Sequence, residues 1–358
     1  MRTRSALQKL VPCLALCLQV WAPAASAQGS NPTPAGEILF TSNRDGGIFQ
    51  LYRMADDGSG VRRVTREPME ATQVDVSADR TKAVFVSVKQ GRPDLYVADL
   101  ASGQVQQLTD DAAMEATPVW SPDGKSVVYQ SYRSSRPQLY LINADGTGQR
   151  KLTDGDGEES APAFSPDGSK VAYVVIVSQR KAQIRAADVA TGKSTVLGAE
   201  PMVGGEGGPR WSPDGTRLAY FMLASEATNI FTVRADGTGR TALTTGTDKN
   251  NEPQWSPDGK RLVFLSIRKP SARQAIYAMD ADGGQQRELI GGLEEHFVVR
   301  WTPDNKGLLF VRFHNGAGQI YAASADGANL RKISNGVGYD ADFSFGRTGI
   351  GPQAMAAR

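Results

Sequence analysis

An all-β fold of seven four-stranded blades, a β-propeller, is predicted by a turn phrase that recurs seven times, by its spacing, and by short strand patterns between its copies. The fullest form is Trp120-Ser121-Pro122-Asp123-Gly124, which returns closely at 164–168, 211–215 and 255–259 and more weakly from 76, 301 and 343. Its Ser or Thr stands at 77, 121, 165, 212, 256, 302 and 344, so the period is 42 to 47 residues. A four-stranded propeller blade typically takes roughly 40 to 45 residues.

Each copy of the phrase predicts a tight turn between the first and second strands of a blade. Pro122 sets the backbone for the first turn position, and Gly124 supplies the positive φ that closes the hairpin. A second turn, such as Asp145-Gly146, predicts the hairpin between the third and fourth strands. In the third repeat the intervening strands are predicted at 126–131, 138–143 and 149–153.

Aromatic side chains mark the same units independently of the turns. Those of the third strands are Tyr52, Tyr96, Tyr140, Phe231, Tyr277 and Tyr321, with Arg185 at the matching place in the fourth repeat. Those at the ends of the first strands are Trp120, Phe164, Trp211, Trp255 and Trp301. Because the spacing is regular through the chain, both sets are predicted to pack between blades and not to bind a ligand.

The two ends of the chain predict how the blades close. The first predicted strand, 38–40, has the pattern of the second strand of a blade. The last predicted strand, 342–345, has the pattern of a first strand. Three N-terminal strands and one C-terminal strand would then complete a seventh blade. Such closure removes the free sheet edges that promote aggregation.

Four segments are predicted: a secretory signal at 1–27, a short linker at 28–36, the propeller at 37–347 and a flexible tail at 348–358. The signal is predicted from basic residues ahead of an apolar stretch at 10–21 and from a small-residue site that ends at Ala27. Cleavage after Ala27 and a periplasmic or secreted location are therefore expected. Lipid attachment at Cys13 is less favoured, because Pro12 stands where a small residue is needed.

The composition of the predicted mature chain argues against several classes of function. Both cysteines, Cys13 and Cys17, lie in the signal, which leaves no thiol nucleophile or thiolate ligand. The signal also holds three of the 40 Lys and Arg residues and none of the 38 acids, so the mature net charge is about −1 and nucleic-acid binding is not expected. No apolar run of about 18 residues follows, so no membrane span is predicted.

The stretch 138–153, QLYLINADGTGQRKLT, closely resembles the repeats of the TolB-like β-propeller family, and the resemblance extends from about Gly36 to Arg347. It implies a periplasmic protein whose propeller binds an envelope protein or peptide, for which the family's example is a peptidoglycan-associated lipoprotein. The family's N-terminal α/β domain is not expected, because 28–35 alone separate the signal from the first strand. Seven blades are predicted here, whereas TolB has six.

Acidic residues are predicted to form a circle around one mouth of the central channel. They stand where the fourth strand of one blade leads to the first strand of the next: Glu70, Glu115, Glu159, Glu206, Glu252, Glu295 and Asp340. Loops between second and third strands, on the same face, are mostly basic. One interpretation is that the acids and arginines pair between adjacent blades. The other is that the carboxylates bind a basic peptide or a cation; no cofactor is required, but oxygen ligands would favour Ca²⁺.

The two histidines, His296 and His314, suggest an alternative class of function. They fall in two loops of one blade on the same face, beside Glu294 and Glu295. An acid–base pair or a metal site of a propeller lyase or lactonase would use such residues. Ordinary surface histidines are the simpler interpretation. The sequence therefore favours a protein-protein interaction platform over an enzyme.

Overall fold

β-Strands form the regular structure of this chain. A computed structural model describes residues 36–89, 91–178, 181–200, 208–224, 227–269, 273–292, 296–314, 317–334, 336 and 338–344. These ranges contain no helix, which confirms the all-β prediction. It follows that no helix within them could cross a membrane. The predicted signal and the predicted tail lie outside the described residues.

Twenty-eight strands occur in these ranges. Those of the first half of the chain are β1 (Ile38–Ser42), β2 (Gln50–Met54), β3 (Arg62–Arg63), β4 (Thr72–Val76), β5 (Lys82–Lys89), β6 (Arg92–Asp99), β7 (Val105–Gln107), β8 (Glu115–Trp120), β9 (Ser126–Ser131), β10 (Gln138–Asn143), β11 (Arg150–Lys151), β12 (Glu158–Phe164), β13 (Lys170–Ser178) and β14 (Lys181–Asp188). Those of the second half are β15 (Ser194–Glu200), β16 (Arg210–Trp211), β17 (Arg217–Ala224), β18 (Ala227–Arg234), β19 (Thr241–Ala242), β20 (Lys249–Trp255), β21 (Arg261–Arg268), β22 (Arg273–Asp280), β23 (Arg287–Ile290), β24 (His296–Trp301), β25 (Gly307–His314), β26 (Ala317–Ser324), β27 (Arg331–Lys332) and β28 (Asp340–Ser344).

The strands form five four-stranded sheets and one eight-stranded sheet. Four of the smaller sheets follow chain order: β4 to β7, β8 to β11, β12 to β15 and β24 to β27. The large sheet joins β16–β19 to β20–β23 through one parallel bridge, Thr228 opposite Lys249. Successive four-stranded sheets are the arrangement of a β-propeller. The strand that leads into each turn phrase is termed a first strand here; the first strands are β4, β8, β12, β16, β20, β24 and β28.

The fifth four-stranded sheet joins the two ends of the described chain. β28 pairs antiparallel with β1, which continues to β2 and β3. Ser42 lies opposite Asp340 in this register, and the hydroxyl of Thr41 donates to the backbone oxygen of Ala341 at 2.9 Å. A C-terminal strand therefore belongs to the same sheet as the first three strands.

The first six turn phrases form the predicted hairpin between a first strand and the strand that follows it. Ser121 Oγ donates to Asp123 Oδ1 at 2.6 Å, and the same oxygen accepts from Lys125 N at 3.1 Å. Gly124 has a φ of +68°, which glycine adopts without strain. The same hydroxyl-to-carboxylate bond, at 2.5 to 2.6 Å, joins Ser77 to Asp79, Ser165 to Asp167, Ser212 to Asp214, Ser256 to Asp258 and Thr302 to Asp304.

Apolar and aromatic side chains fill the space between neighbouring sheets. Phe85 lies opposite Tyr96 on the adjacent strand, and their rings stack with centroids 6.0 Å apart. Equivalent ring pairs are Tyr129 with Tyr140, Tyr220 with Phe231, Phe264 with Tyr277 and Phe310 with Tyr321. Trp120 is 1% exposed and belongs to one buried cluster with Val84 of the preceding sheet. Burial of apolar surface, at roughly 25 cal/mol per Å², thus holds the sheets together.

Candidate functional site

Glu115, the first residue of β8, is 1% exposed and ion-paired. Its Oε1 lies 3.0 Å from Arg133 Nη2 and accepts from Ser131 Oγ at 3.2 Å. The Arg133 guanidinium also lies over the Tyr140 ring, 4.8 Å from its centroid. Desolvation by burial raises the pKa of Glu115 to about 7, although the bond to Arg133 opposes the rise.

The ion pair recurs at the start of one other first strand, and a polar contact takes its place at another. Asp340 of β28, 1% exposed, lies 2.9 Å from Arg44 Nη2, and Arg44 Nε donates to Ser42 Oγ at 3.1 Å. In β20 the acid is replaced by Asn250, whose Oδ1 accepts from Ser266 Oγ at 2.7 Å. Each arginine of these ion pairs follows the second strand of the same sheet. The pairs are therefore formed within a sheet and not, as one interpretation of the sequence held, between adjacent blades.

Glu159, the second residue of β12, is fully buried and joins two sheets. Its Oε2 accepts from Leu139 N of the preceding sheet at 3.0 Å and from the hydroxyl of Thr153. Desolvation by burial raises the pKa of this carboxyl. The structure thus places Glu115, Glu159 and Asp340 in the protein interior, whereas the sequence had suggested an open mouth.

The remaining acids of the predicted circle lie elsewhere. Glu70 and Glu252 are partly exposed, while Glu206 and Glu295 lie outside the described residues. Within the ranges that the structure describes, no three acidic, His or Cys side chains group as metal ligands. Ca²⁺ binding stays a prediction.

The two histidines stand at strand ends in one sheet. His296 begins β24, and His314 ends β25; their side chains lie outside the described part of the chain. His296 pairs with Arg312, two residues before His314, so the two backbones lie at the same end of the sheet. A shared chemical role for them stays a hypothesis.

A cavity of about 480 Å³ lies where the first strands meet, and the sequence interpretation did not include it. Its lining contains residues from β4, β8, β12, β16, β20, β24 and β28. Prolines of the turn phrases, such as Pro122 and Pro213, line it as well. The volume falls in the range of roughly 300 to 1,000 Å³ that is typical of ligand pockets.

A repeated β-bulge accompanies this cavity. Five first strands shift register around a non-glycine residue with φ of 48° to 52°: Gln73, Thr117, Ala161, Glu252 and Val298. A bulge bends its strand and redirects a neighbouring side chain. In each of these strands one cavity-lining residue lies two positions after the bulge and directly before the last residue of the strand. These residues are Asp75, Val119, Ala163, Gln254 and Arg300, and Arg210 has the matching position in β16. The repeat spacing alone would have aligned these six positions.

Two arginines meet one glutamine at this cavity. With the Gln254 amide oriented so that its oxygen faces them, Oε1 accepts from Arg300 Nη1 at 3.1 Å and from Arg210 Nε at 3.2 Å. The three side chains come from successive first strands, β16, β20 and β24, and all three residues are partly exposed. The shared acceptor brings two positive charges close together, an arrangement that attracts anions.

Tryptophan side chains tie these strands to one another. Trp255 Nε1 donates to Arg210 O at 3.1 Å, and Trp301 Nε1 donates to Gln254 O at 3.3 Å. Both indoles line the cavity with the arginines. The arginine cluster is therefore carried by linked strands and not by loops, which favours a preorganised site.

Charge is distributed unevenly around the cavity. Among its described lining residues the charged ones are Asp75, Arg210 and Arg300, and Asp75 accepts from Trp120 N at 2.8 Å. Four aspartates of the turn phrases are exposed and directly follow lining prolines in sequence: Asp123, Asp167, Asp214 and Asp258. Although burial acts to raise it, the hydrogen bonds from Ser121 and from Lys125 N lower the pKa of Asp123, which keeps this carboxylate charged.

Comparison with known proteins gives a family match over most of the chain. Residues 75–161 and 143–337 match the model of the TolB beta propeller domain. The chain is also 33% identical, over 92 residues, to the Tol-Pal system protein TolB of Alcanivorax borkumensis. That match covers 25% of this chain and 21% of the relative, so the aligned part is about a fifth of the curated protein.

Solved structures show the same fold at low sequence identity. TolB from Acinetobacter baumannii superposes with a TM-score of 0.55 at 17% identity, covering 86% of this chain and 81% of that one. An oligogalacturonate lyase in complex with manganese superposes with a TM-score of 0.64, also at 17% identity, covering 84% and 86%. These likenesses extend to both a binding protein and an enzyme, so the fold does not select between the two functions.

Proposed function

Because the chain belongs to the TolB β-propeller domain family, we propose that it is a protein-protein interaction platform of the periplasm or cell envelope. Its docking site in this proposal is the cavity between the first strands. The observation that carries the proposal is the shared lining, to which all seven first strands contribute. A partner segment seated there would contact every repeat, and concave sites of this size bury most of a bound group.

The proposal includes a ring of seven blades. Dividing the eight-stranded sheet at its single parallel bridge gives two sets of four strands, β16–β19 and β20–β23, beside the five four-stranded sheets. The pairing of β28 with β1 would then close the ring. Seven turn phrases in the sequence support the same number.

We expect the partner to be an envelope protein or peptide. A peptidoglycan-associated lipoprotein is one candidate, because a curated relative is a Tol-Pal system protein. The predicted secretory signal at 1–27 supports the same compartment. The near-neutral charge of the predicted mature chain does not favour a nucleic-acid partner.

The cavity is favoured over the acidic circle as the docking site because of accessibility. Glu115, Glu159 and Asp340 are buried and bonded to their own sheet or to a neighbouring one. Arg210 and Arg300 are partly exposed at the cavity. A partner can therefore reach these two arginines without unfolding any part of the protein.

Crosslinking and pull-down of the tagged mature chain from cell envelopes tests this function. Three baits are compared: the wild type, a cavity variant with Arg210→Gln and Arg300→Gln, and a control with Glu70→Gln and Glu252→Gln. A partner captured by the wild type and the control but lost from the cavity variant is the expected result. A partner kept by the cavity variant overturns the docking site, and no specific partner for any bait overturns the platform.

An enzyme of the lyase or lactonase type is the second candidate. The observation that favours it is the position of His296 and His314, whose backbones lie at the same end of one sheet. The fold likeness to an oligogalacturonate lyase in complex with manganese supports testing it. Turnover of oligogalacturonate or lactones, with and without Mn²⁺, should disappear in His296→Ala and His314→Ala. An activity that survived both changes would exclude these residues.

A further inference from the structure

We propose that Arg210, Gln254 and Arg300 form a carboxylate-binding site, which takes a C-terminal or side-chain carboxylate of a peptide segment of the docked partner. This inference rests on the proposed function and names the group that the cavity recognises. It requires a peptide as the occupant. An acidic sugar is the competing occupant that the experiment must separate from it.

The two guanidinium groups lie close together. Arg300 Nη1 and Arg210 Nε lie 3.1 and 3.2 Å from one Gln254 oxygen, so they cannot be farther apart than the sum of these distances. An anion placed beside both guanidinium groups would be attracted by each of them. A carboxylate has two acceptor oxygens, which match the planar, forked donors of arginine.

Aromatic side chains surround the cluster. The indoles of Trp211, Trp255 and Trp301 line the same cavity. Aromatic walls exclude water, and a charge-assisted hydrogen bond is stronger where water is excluded. They also supply an apolar surface for the aliphatic part of the residue that carries the carboxylate. The set therefore suits a peptide end or an acidic side chain better than a free, fully hydrated anion.

Acidic residues on the adjoining turns would face the residues next to that carboxylate. Asp123, Asp167 and Asp214 are exposed, and each directly follows a proline that lines the cavity. The cavity thus has positive charge at Arg210 and Arg300, and negative charge at Asp75 and on the adjoining turns. A segment with a carboxylate at its tip and a Lys or Arg a few residues away is complementary to both.

Binding is measured with acetyl-Gly-Lys-Ala-Glu, which carries free C-terminal and side-chain carboxylates. Of the four tryptophans that remain after residue 27, three line the cavity, so intrinsic tryptophan fluorescence should report occupancy. The wild type should bind this peptide saturably, and more weakly as salt is added. Peptides amidated at the C-terminus, at the side chain, or at both show which carboxylate is used.

Arg210→Gln with Arg300→Gln should lower the affinity by about tenfold or more, since it removes two charge-assisted contacts. The matched control is Arg217→Gln, an exposed arginine outside the cavity lining, which should bind like the wild type. Arg210→Lys with Arg300→Lys retains the charge without the fork and should fall between them. This variant keeps the test valid if the glutamine variant fails to fold.

Equal affinity for the free and doubly amidated peptides would overturn the carboxylate site, as would unchanged binding in a folded glutamine variant. Trigalacturonate that binds more tightly than the peptide would overturn the peptide occupant. The envelope pull-down separates this inference from the proposed function. A partner that depends on the cavity, together with no carboxylate preference, leaves the platform standing and removes this site.

Discussion

The beginnings of the first strands and their bulged ends use charge in opposite ways. At the beginnings, Glu115 and Asp340 are buried and each is joined to an arginine of its own sheet. At the other ends, beside the cavity, Arg210 and Arg300 are partly exposed and share one acceptor. The ion pair occurs at two first strands and a polar contact of Asn250 takes its place in a third, whereas the residue type beside the cavity changes from strand to strand over six aligned positions.

This difference separates features of the repeat from features of the individual chain. A contact that recurs from sheet to sheet stabilises each sheet in the same way. A residue that changes from one repeat to the next at an equivalent place is not needed for that common purpose. Asp75, Val119, Ala163, Arg210, Gln254 and Arg300 occupy such a place, so this set is where specific recognition is expected.

The largest effect should come from breaking a buried ion pair at the beginning of a first strand. Arg133→Ala at pH 8 leaves the buried Glu115 carboxyl without its guanidinium partner, so it must either stay charged in the interior or take up a proton. We expect the free energy of unfolding to fall by about 3 kcal/mol, measured by urea denaturation. Arg217→Ala, at an exposed site, should stay within about 0.5 kcal/mol of the wild type. Equal losses in the two variants would contradict the structural role of the pair.

A smaller effect should appear as a pH dependence of stability. Burial raises the pKa of Glu115 to about 7 from its ordinary 4.5, so between these values the folded protein holds a proton that the unfolded chain has released. This contribution to stability is therefore present at low pH and is lost as pH rises toward 7. From pH 5 to 7.5 the wild type should lose about 2 kcal/mol relative to Glu115→Gln. Parallel stability curves for the two proteins would show that the carboxyl titrates normally.

Removing one turn hydroxyl should lower the stability by less than either of these changes. Ser256 Oγ donates to Asp258 Oδ1 at 2.6 Å and accepts from Arg261 N at 2.9 Å. Ser256→Ala should cost about 1 kcal/mol of unfolding free energy, because both bonds of one hydroxyl are lost. Ser135→Ala, on an exposed loop, serves as the control and should change stability little. If Ser256→Ala lowered the free energy of unfolding no more than the control does, the hydroxyl bonds of the turn phrase would not stabilise the fold.

The smallest effect on stability is expected at the cavity. Arg210→Gln removes one of two neighbouring positive charges, so the midpoint of thermal unfolding should stay the same or rise slightly. The expected change in free energy is within about 0.5 kcal/mol. A loss of about 2 kcal/mol or more would show that Arg210 stabilises the fold as the buried ion pairs do.

The turns and strands were predictable because their causes are local. The Ser121 to Asp123 bond and the positive φ of Gly124 depend on five consecutive residues, and the strands predicted at 126–131 and 138–143 have these bounds in the structure. The aromatic third-strand residues were also predictable, since each pairs with a residue of the adjacent strand in the same hairpin.

Burial of the acids and the presence of the cavity were not predictable, because their causes are distant in sequence. Whether Glu115 is buried depends on the position of Arg133 and on the packing of two sheets. The cavity depends on bulges at residues such as Thr117 and Val298, whose types favour extended strand and give no sign of a positive φ. The arginines were nevertheless marked in the sequence, since each directly precedes the aromatic residue of a turn phrase.

The pairing of β28 with β1 has a consequence for the order in which the chain folds. Thr41 and Ala341, which bond across this pair, are separated by 300 residues. During synthesis β1 emerges about 300 residues before its partner, so the first sheet stays one strand short until β28 has been made. Contacts this distant form slowly, and an unpaired strand edge invites pairing with other chains in the meantime. Premature termination before residue 340 would therefore leave β1 exposed, and such fragments should aggregate more readily than the complete protein.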